Sequence, residues 1–201
     1  MPQKLEPLLP GCYYHIYNHA NGNENLFNSE ANYLYFLEKY VEYIHPIADT
    51  FAYCSMPNHF HFFVRIKDDI VVEQQQTSEV LKTSEVFVSQ QFSNFFNAYS
   101  KAINKERGRM GSLFNHRYKR KQVFTTDYFI NLIHYIHLNP IAHGFVKSAH
   151  DWKYSSYHSF LTNHPTKINR DEALKWFDDL NNFKALHQSP VSERFILDLE
   201  L

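Results

Sequence analysis

The sequence predicts an α+β fold in which helices pack on an antiparallel β-sheet. Short runs rich in aromatic and β-branched residues alternate along the chain with longer segments of helical spacing. Two of the apolar runs are separated by only two residues, which predicts a β-hairpin and therefore antiparallel pairing. The chain has 201 residues, 44% of them hydrophobic, so it can bury one sizeable core.

The first strand and the first helix are predicted near the N-terminus. Residues 13–19, YYHIYNH, are aromatic and β-branched as in a strand, and Gly22 with several asparagines marks a turn after it. Ser29 then precedes apolar residues at helical spacing, which predicts a helix capped by that serine and ending near Pro46.

A β-hairpin and a long loop follow. Residues 47–56 and 59–66 are apolar runs on either side of a Pro-Asn turn, so they are expected to form the two strands of the hairpin. Residues 67–86 are polar and contain the tetrapeptide TSEV twice, at 77–80 and at 83–86. They show no periodicity, and we expect a mobile loop there.

The next three elements are a helix, a strand and a helix. Residues 87–106 carry phenylalanines and a tyrosine at helical spacing, and two glycines follow them. Residues 114–124 are predicted to form a strand crowded with basic residues. Thr125 begins the last of these helices, which the Asn139-Pro140 pair is expected to end.

The predicted element order is therefore β-α-β-β-α-β-α. This order fits a ferredoxin-like antiparallel sheet with helices packed on it, or a variant of that arrangement. Residues 1–160 are interpreted as one catalytic domain, and residues 161–201 as a C-terminal extension that is partly helical. Within the extension, a helix is predicted over residues 169–180.

Positive charge is concentrated in one segment, although the formal net charge of the chain is only -1. Between residues 101 and 121, eight basic residues stand against one acidic residue, a net charge of +7. Such a stripe suits a nucleic-acid backbone, while a solvated helix face is the ordinary alternative. The candidate DNA-binding residues of this segment are Lys101, Lys105, Arg107, Arg109, Arg117, Tyr118, Lys119, Arg120 and Lys121.

Nothing in the sequence indicates a membrane segment or a disulfide framework. No uncharged apolar stretch approaches the length that crosses a bilayer, and the first ten residues do not resemble a secretion signal. The two cysteines are too few for a framework of disulfides and lack the paired spacing of a zinc finger. We therefore expect a cytoplasmic protein.

Two histidines at alternate positions form a candidate metal site. His59 and His61 open the second hairpin strand, and residues two apart on a strand project to the same side. Two imidazoles on one face can supply part of the ligand shell of a divalent cation. With 13 histidines in the chain, this spacing also arises easily by chance.

The last predicted helix carries a candidate nucleophile. Tyr135 and Asn139 are four residues apart and share one helical face. A phenol can attack a phosphodiester and hold the broken strand as a phosphotyrosine. With a reference pKa of about 10 the phenol is mostly protonated at neutral pH, so a metal or a nearby base must assist the attack. Taken alone, however, the two residues also fit an ordinary amphipathic helix.

Three motifs in register make the combination specific. MPNHFHFFV, GSLFNHRYKR and YIHLNP, followed by DWKYSSY, occur in this order over residues 56–157, within a region of resemblance that covers about residues 11–157. The combination resembles the single-tyrosine HUH transposases, in particular the REP-associated tyrosine transposases. The resemblance implies a ferredoxin-like fold, two metal-binding histidines on a central strand, a tyrosine on a following helix, and Mg²⁺ or Mn²⁺ as cofactor.

The resemblance assigns roles to individual residues. By position, His59 and His61 are metal ligands, Asn139 is the third ligand, and Tyr135 is the nucleophile that forms a covalent 5′-phosphotyrosine with single-stranded or hairpin DNA. Tyr118 is the rival nucleophile, but its basic neighbours suit it better to gripping phosphates. The resemblance does not decide between a monomer and a homodimer.

Two other functions remain open on the sequence. One is a domesticated protein of the same fold that binds DNA or RNA without cutting it. The other is a zinc-dependent hydrolase in which His59, His61 and a third histidine, His134 or His137, activate water. Loss of a ligand or of the nucleophile would indicate the non-cleaving protein, and the three ligands and the tyrosine assigned by the resemblance are all present. A covalent protein–DNA adduct would distinguish the transposase-type enzyme from the hydrolase.

Overall fold

The computed structural model describes residues 6–70, 84–115 and 117–200. It confirms the predicted α+β class, with a four-stranded antiparallel sheet of strand order β2-β3-β1-β4. This is the order expected of the ferredoxin-like arrangement. The strands are β1 (Tyr13–His19), β2 (Ala48–Met56), β3 (His59–Ile66) and β4 (Lys119–Val123).

Three long helices pack on the sheet, and short helices follow them. Among the residues that the structure describes, no helix is both long enough and apolar enough to span a bilayer. A 3-10 helix covers Ala149–Asp151. The α-helices are α1 (Glu30–Tyr43), α2 (Ser84–Glu106), α3 (Thr126–Ala142), α4 (Tyr157–Phe160), α5 (Arg170–Trp176), α6 (Leu180–Leu186) and α7 (Glu193–Glu200).

The sheet has two buried faces, and the alternation along β3 decides what each face carries. Phe60 and Phe62 belong to the apolar cluster formed with α1 and α2. Phe63 belongs to a second cluster, formed with α3 and the C-terminal helices. Because neighbouring side chains on a strand point to opposite faces, His59 and His61 share the face of Phe63 and lie under α3.

Side chains cap the N-termini of α1 and α3, as the sequence predicts. The side chain of Ser29 accepts a hydrogen bond from the backbone N–H of Asn32, and that of Thr125 accepts one from the N–H of Tyr128. The predicted end of α3 at Asn139-Pro140 is wrong, because the helix continues to Ala142 with Pro140 inside it. Pro140 removes only one backbone hydrogen-bond donor from the helix. The carbonyl oxygens of the last turn accept hydrogen bonds from residues after the helix.

Two further boundaries differ from the sequence expectations. Helix α2 begins at Ser84, so the end of the predicted loop is helical, while residues 71–83 lie outside the described residues. Strand β4 is shorter than predicted, because only five of its residues pair with β1. Phe114, the expected start of that strand, instead makes an isolated bridge with Ala20.

The C-terminal extension packs on the same face of the sheet as α3. The predicted helix over residues 169–180 is interrupted, because α5 ends at Trp176 and Asp178 adopts a positive φ of 66° before α6 begins. Phe177 and Phe183 of the extension belong to the cluster that contains the apolar face of α3. The division of the chain at residue 160 stays a prediction.

An ion-pair network also joins the extension to the sheet. Arg65 on β3 contacts Asp49 on β2 and Glu172 on α5, with both nitrogen–oxygen distances 2.8 Å. Tyr13 donates a hydrogen bond from its hydroxyl to the same Glu172 carboxylate. The extension is therefore joined to β1 and β3 by polar contacts, in addition to its apolar packing.

A chain of hydrogen bonds between buried side chains links α3 to α6. His187 Nδ1 lies 2.7 Å from the carbonyl oxygen of Phe183, so it carries the proton and donates it. The other nitrogen, Nε2, then accepts from His137 Nδ1 at 3.0 Å. His137 Nε2 accepts in turn from the hydroxyl of Ser156 at 2.7 Å. The chain is complete only when both imidazoles are neutral.

These hydrogen bonds between neutral imidazoles predict that the protein loses stability in acid. Burial lowers the pKa of His187 to about 3 and that of His137 well below its usual value. The contribution of these neutral rings is full above about pH 6.5 and is lost as pH falls below it, by about 1.4 kcal/mol per pH unit for each ring. We expect His187→Phe to reduce the dependence of the unfolding free energy on pH between 6.5 and 5.

Urea denaturation at several pH values measures this slope. His164→Ala, at an exposed position, is the matched control and should keep the wild-type slope. Equal slopes for wild type and His187→Phe would show that the buried pair does not govern acid stability.

Candidate metal and tyrosine site

His59 and His61 lie side by side beneath α3. Their rings are perpendicular, with centroids 5.2 Å apart, and only 2% and 4% of the two residues is exposed. The i, i+2 spacing places both imidazoles on one face of β3, as the sequence predicts, and the structure shows that this location is buried.

Helix α3 brings a tyrosine and an amide to the same location. Asn139 Oδ1 lies 2.8 Å from His59 Nε2. One turn earlier, the half-buried ring of Tyr135 meets the His61 ring edge-on, with centroids 5.4 Å apart. The four-residue separation aligns Tyr135 and Asn139 along the helix, so each faces one of the two histidines.

The contacts of His59 fit a bound cation. Its Nδ1 lies 2.8 Å from Asn58 Oδ1, and its Nε2 lies 2.8 Å from Asn139 Oδ1. A neutral imidazole carries one proton, so when Nδ1 donates it to Asn58, Nε2 keeps a lone pair that faces the Asn139 amide. That lone pair and the Asn139 oxygen would together be able to hold a cation. Neighbouring ligands of an octahedral Mg²⁺ lie about 3 Å apart, close to the observed separation.

Burial keeps the histidines in the neutral form that binds metals. It lowers the pKa of His59 to about 4, with smaller contributions from nearby histidines, and lowers that of His61 well below its usual value. Within the described ranges no group of three or more His, Cys, Asp and Glu side chains could hold an ion. A site here would thus combine two imidazoles with the Asn139 amide oxygen, and its uncompensated charge favours an anionic substrate.

Three further histidines near this site were not identified from the sequence. His15 on β1 lies with its Nε2 2.9 Å from His61 Nδ1, and His19 stacks on His59 with ring centroids 4.7 Å apart. His143, just after α3, also packs against His59, at 5.0 Å. Alternation puts His15 and His19 on one face of β1, but only the pairing of β1 with β3 sets them beside the metal-site histidines.

Tyr118, the rival nucleophile, lies on the other side of the sheet. It packs against Phe92 and Phe96 of α2, with ring centroids 5.3 and 5.1 Å apart, and belongs to the α1 and α2 cluster. Burial raises the pKa of its phenol, despite a hydrogen bond from Arg120. The structure does not bring Tyr118 to His59 and His61.

The basic residues of β4 divide between the two faces of the sheet. Lys119 Nζ lies over the Tyr17 ring and Lys121 Nζ over the Tyr128 ring, at 5.8 and 6.0 Å, on the side of the metal-site histidines. Arg117, although it is two positions before Lys119, does not share this face. Arg117 precedes the strand and, with Arg120, lines a cavity of about 400 Å³ beside α2.

The basic residues near the end of α2 differ in whether their side chains are bonded within the protein or exposed to solvent. Arg107 donates to the carbonyl oxygens of residues 25 and 26, and Arg109 pairs with Glu24 at 2.7 Å, so both guanidinium groups are engaged within the protein. Lys101 and Lys105 are exposed on the helix surface. DNA contacts by these four residues stay predictions.

His134 and His137 point away from the metal-site histidines. His134 Nε2 contacts the carbonyl oxygen of Ser189, and His137 is held by His187 and Ser156. The three-histidine zinc site of the hydrolase alternative is therefore not formed.

The fold is the one implied by the resemblance to single-tyrosine HUH transposases. The chain is 24% identical over 112 residues to a Haemophilus influenzae protein that carries the provisional name REP-associated tyrosine transposase. That match spans 55% of this chain and 59% of the relative. No family profile matches the chain.

A solved structure shares the fold. It is described as a REP-associated tyrosine transposase bound to a REP hairpin, and it superposes with a TM-score of 0.59 at 15% identity, covering 82% of this chain and 89% of the other. The resemblance to the REP-associated tyrosine transposases, inferred from the motifs, is thus confirmed by a sequence match and by the fold.

Proposed function

We propose that this protein nicks and rejoins single-stranded DNA through a covalent 5′-phosphotyrosine on Tyr135, with Mg²⁺ or Mn²⁺ held by His59, His61 and Asn139. The observation that carries the proposal is the meeting of α3 with β3. There the Asn139 oxygen lies 2.8 Å from His59 Nε2, and the Tyr135 ring borders His61. The residues proposed as ligands and as nucleophile thus lie close together.

The reaction follows from these groups. The Tyr135 phenol gives up its proton as its oxygen bonds to the phosphorus, the bond from phosphorus to the 3′ oxygen breaks, and that oxygen takes up a proton and leaves as a 3′ hydroxyl. The reverse attack by a 3′ hydroxyl rejoins the strand and releases the tyrosine. A bound Mg²⁺ or Mn²⁺ would polarise the phosphate and stabilise the charge that develops on it. Helix α3 would hold Tyr135 in the same orientation for the cleavage step and for the rejoining step.

Single-stranded or hairpin DNA is the proposed substrate. The similar structure described above is that of a protein bound to a DNA hairpin, and Lys119 and Lys121 lie on the site's face of the edge strand β4. Positive charge beside the tyrosine suits a DNA backbone that crosses the sheet edge. A DNA-processing role is in keeping with the predicted cytoplasmic location.

A covalent adduct tests the proposal directly. The full-length protein is incubated with radiolabelled hairpin DNA that carries single-stranded flanks, with and without Mn²⁺, and is run on a denaturing gel. We expect a slower band that carries the label only when Mn²⁺ is present. Binding without cleavage would instead indicate a non-cleaving nucleic-acid-binding protein, and cleavage without an adduct would indicate a hydrolase.

The two lysines of β4 predict a measurable dependence on salt. Replacing both Lys119 and Lys121 with alanine should weaken binding of the hairpin substrate. It should also reduce the slope of log K against log salt by about 1.4, since each phosphate contact on a single strand contributes about 0.7. The double variant Lys175→Ala, Lys184→Ala removes two exposed lysines of the extension and should leave the slope unchanged. If the two double variants behave alike, the β4 lysines do not contact phosphates.

A further inference from the structure

His15 and His61 form a buried pair with one hydrogen bond between them. His15 Nε2 lies 2.9 Å from His61 Nδ1, and the two residues are 2% and 4% exposed. His15 lies opposite Phe63 in the pairing of β1 with β3, so it is diagonal to His61 on the same face. The contact joins two residues that are 46 positions apart in the sequence.

The direction of this hydrogen bond decides whether His61 can bind an ion. Each neutral imidazole carries one proton, so one ring donates and the other accepts. If His15 donates, the proton of His61 sits on Nε2 and blocks that nitrogen. If His61 donates from Nδ1, its Nε2 keeps a free lone pair on the side of the ring away from His15.

The neighbouring ligand favours donation by His61, because His59 has the same arrangement, with Asn58 Oδ1 2.8 Å from its Nδ1, where it can hold a proton. His15 Nδ1 is buried without a hydrogen-bond partner in the part of the chain that the structure describes, whichever of the two rings donates. A phenylalanine would fill the same space between aromatic rings without an unpaired polar atom, so packing alone does not require histidine at this position.

We infer that His15 is a positioning residue for the ion site, which accepts a hydrogen bond from His61 Nδ1 and thereby presents the lone pair of His61 Nε2 to the ion. The inference rests on the proposed function, because the ion is the one required beside Tyr135. Outer partners of this kind fix the tautomer and the orientation of metal-binding histidines in proteins generally.

Two variants separate this role from packing. His15→Phe keeps an aromatic ring but removes the acceptor, and we expect it to raise the Kd for Mn²⁺, measured by calorimetry on the metal-free protein, about 10- to 100-fold with an unchanged Tm. His15→Gln places an amide oxygen near the position of Nε2, and we expect it to restore the Kd to within a few-fold of wild type. In wild-type protein without metal, nitrogen-15 NMR should show the His61 proton on Nδ1.

Several results would overturn the inference. A His61 proton on Nε2 in the wild type contradicts it directly, whatever the fate of the variants. It also fails if His15→Phe folds and binds Mn²⁺ as tightly as wild type, or if His15→Gln is as defective as His15→Phe. If the wild type forms a DNA adduct but His15→Phe binds Mn²⁺ normally, only the role of His15 is refuted. Absence of both Mn²⁺ binding and adduct in the wild type refutes the proposed function, and with it the presentation of His61 to an ion.

Discussion

Tyr135→Phe is expected to lower the rate of DNA cleavage at least about 1000-fold and to abolish the covalent adduct, because the substitution removes the attacking oxygen. The phenylalanine ring keeps the edge-on contact with His61, which does not involve the hydroxyl. Folding and affinity for hairpin DNA should therefore stay close to wild type. Single-turnover cleavage and a denaturing gel measure the two losses, and a binding titration measures what is retained.

Tyr118→Phe is the matched control for this prediction. It removes the same atom from the other candidate tyrosine, which packs against α2 on the opposite side of the sheet. Cleavage should remain within a few-fold of wild type. The choice of nucleophile is wrong if the adduct survives in Tyr135→Phe and disappears in Tyr118→Phe.

His59→Ala is expected to lower cleavage about 100-fold or more and to eliminate measurable Mn²⁺ binding. His59 is the imidazole in contact with the proposed third ligand, Asn139, and a metal that polarises a phosphate contributes several kcal/mol to catalysis. The DNA contacts proposed for β4 do not involve this ring, so hairpin affinity should change little. Calorimetry with Mn²⁺ and single-turnover cleavage at saturating Mn²⁺ measure the two effects.

His45→Ala controls for the loss of a partly buried histidine. His45 follows α1, and its backbone oxygen accepts a hydrogen bond from Lys67, away from the residues of the proposed site. The variant should bind Mn²⁺ and cleave DNA as wild type does. Retention of cleavage and Mn²⁺ binding in His59→Ala, with the fold verified by circular dichroism, would remove His59 from the ligand set.

The C-terminal extension contributes to the site although none of its residues is proposed to take part in the reaction. His134 and His137 on α3 flank Tyr135 in the sequence and contact the extension on the other side of the helix. Phe195 of α7 lies near the Tyr135 ring, with centroids 6.4 Å apart. The extension therefore holds the helix that carries the proposed nucleophile, and its weakening in acid should affect both stability and activity.

The sequence by itself determined the elements and one face of the site. Strict alternation in HFHFFV sets His59 and His61 on one side of β3, and helical periodicity aligns Tyr135 with Asn139. These relations depend on local backbone geometry, which is why the first strand and the hairpin strand β3 have the predicted limits. The end of α3 was missed, because the tolerance of Pro140 depends on donors supplied by residues after the helix.

Only the tertiary structure decided which residues meet across elements. The pairing of β1 with β3 sets His15 beside His61, and a shift of one residue would have turned His15 to the other face. The pairing of β4 with β1 likewise puts Lys119 and Lys121 on the face of His59 and His61, and Tyr118 on the other face. Strand register and helix docking are set by burial of apolar faces contributed by distant parts of the chain, and local periodicity carries no information on such contacts.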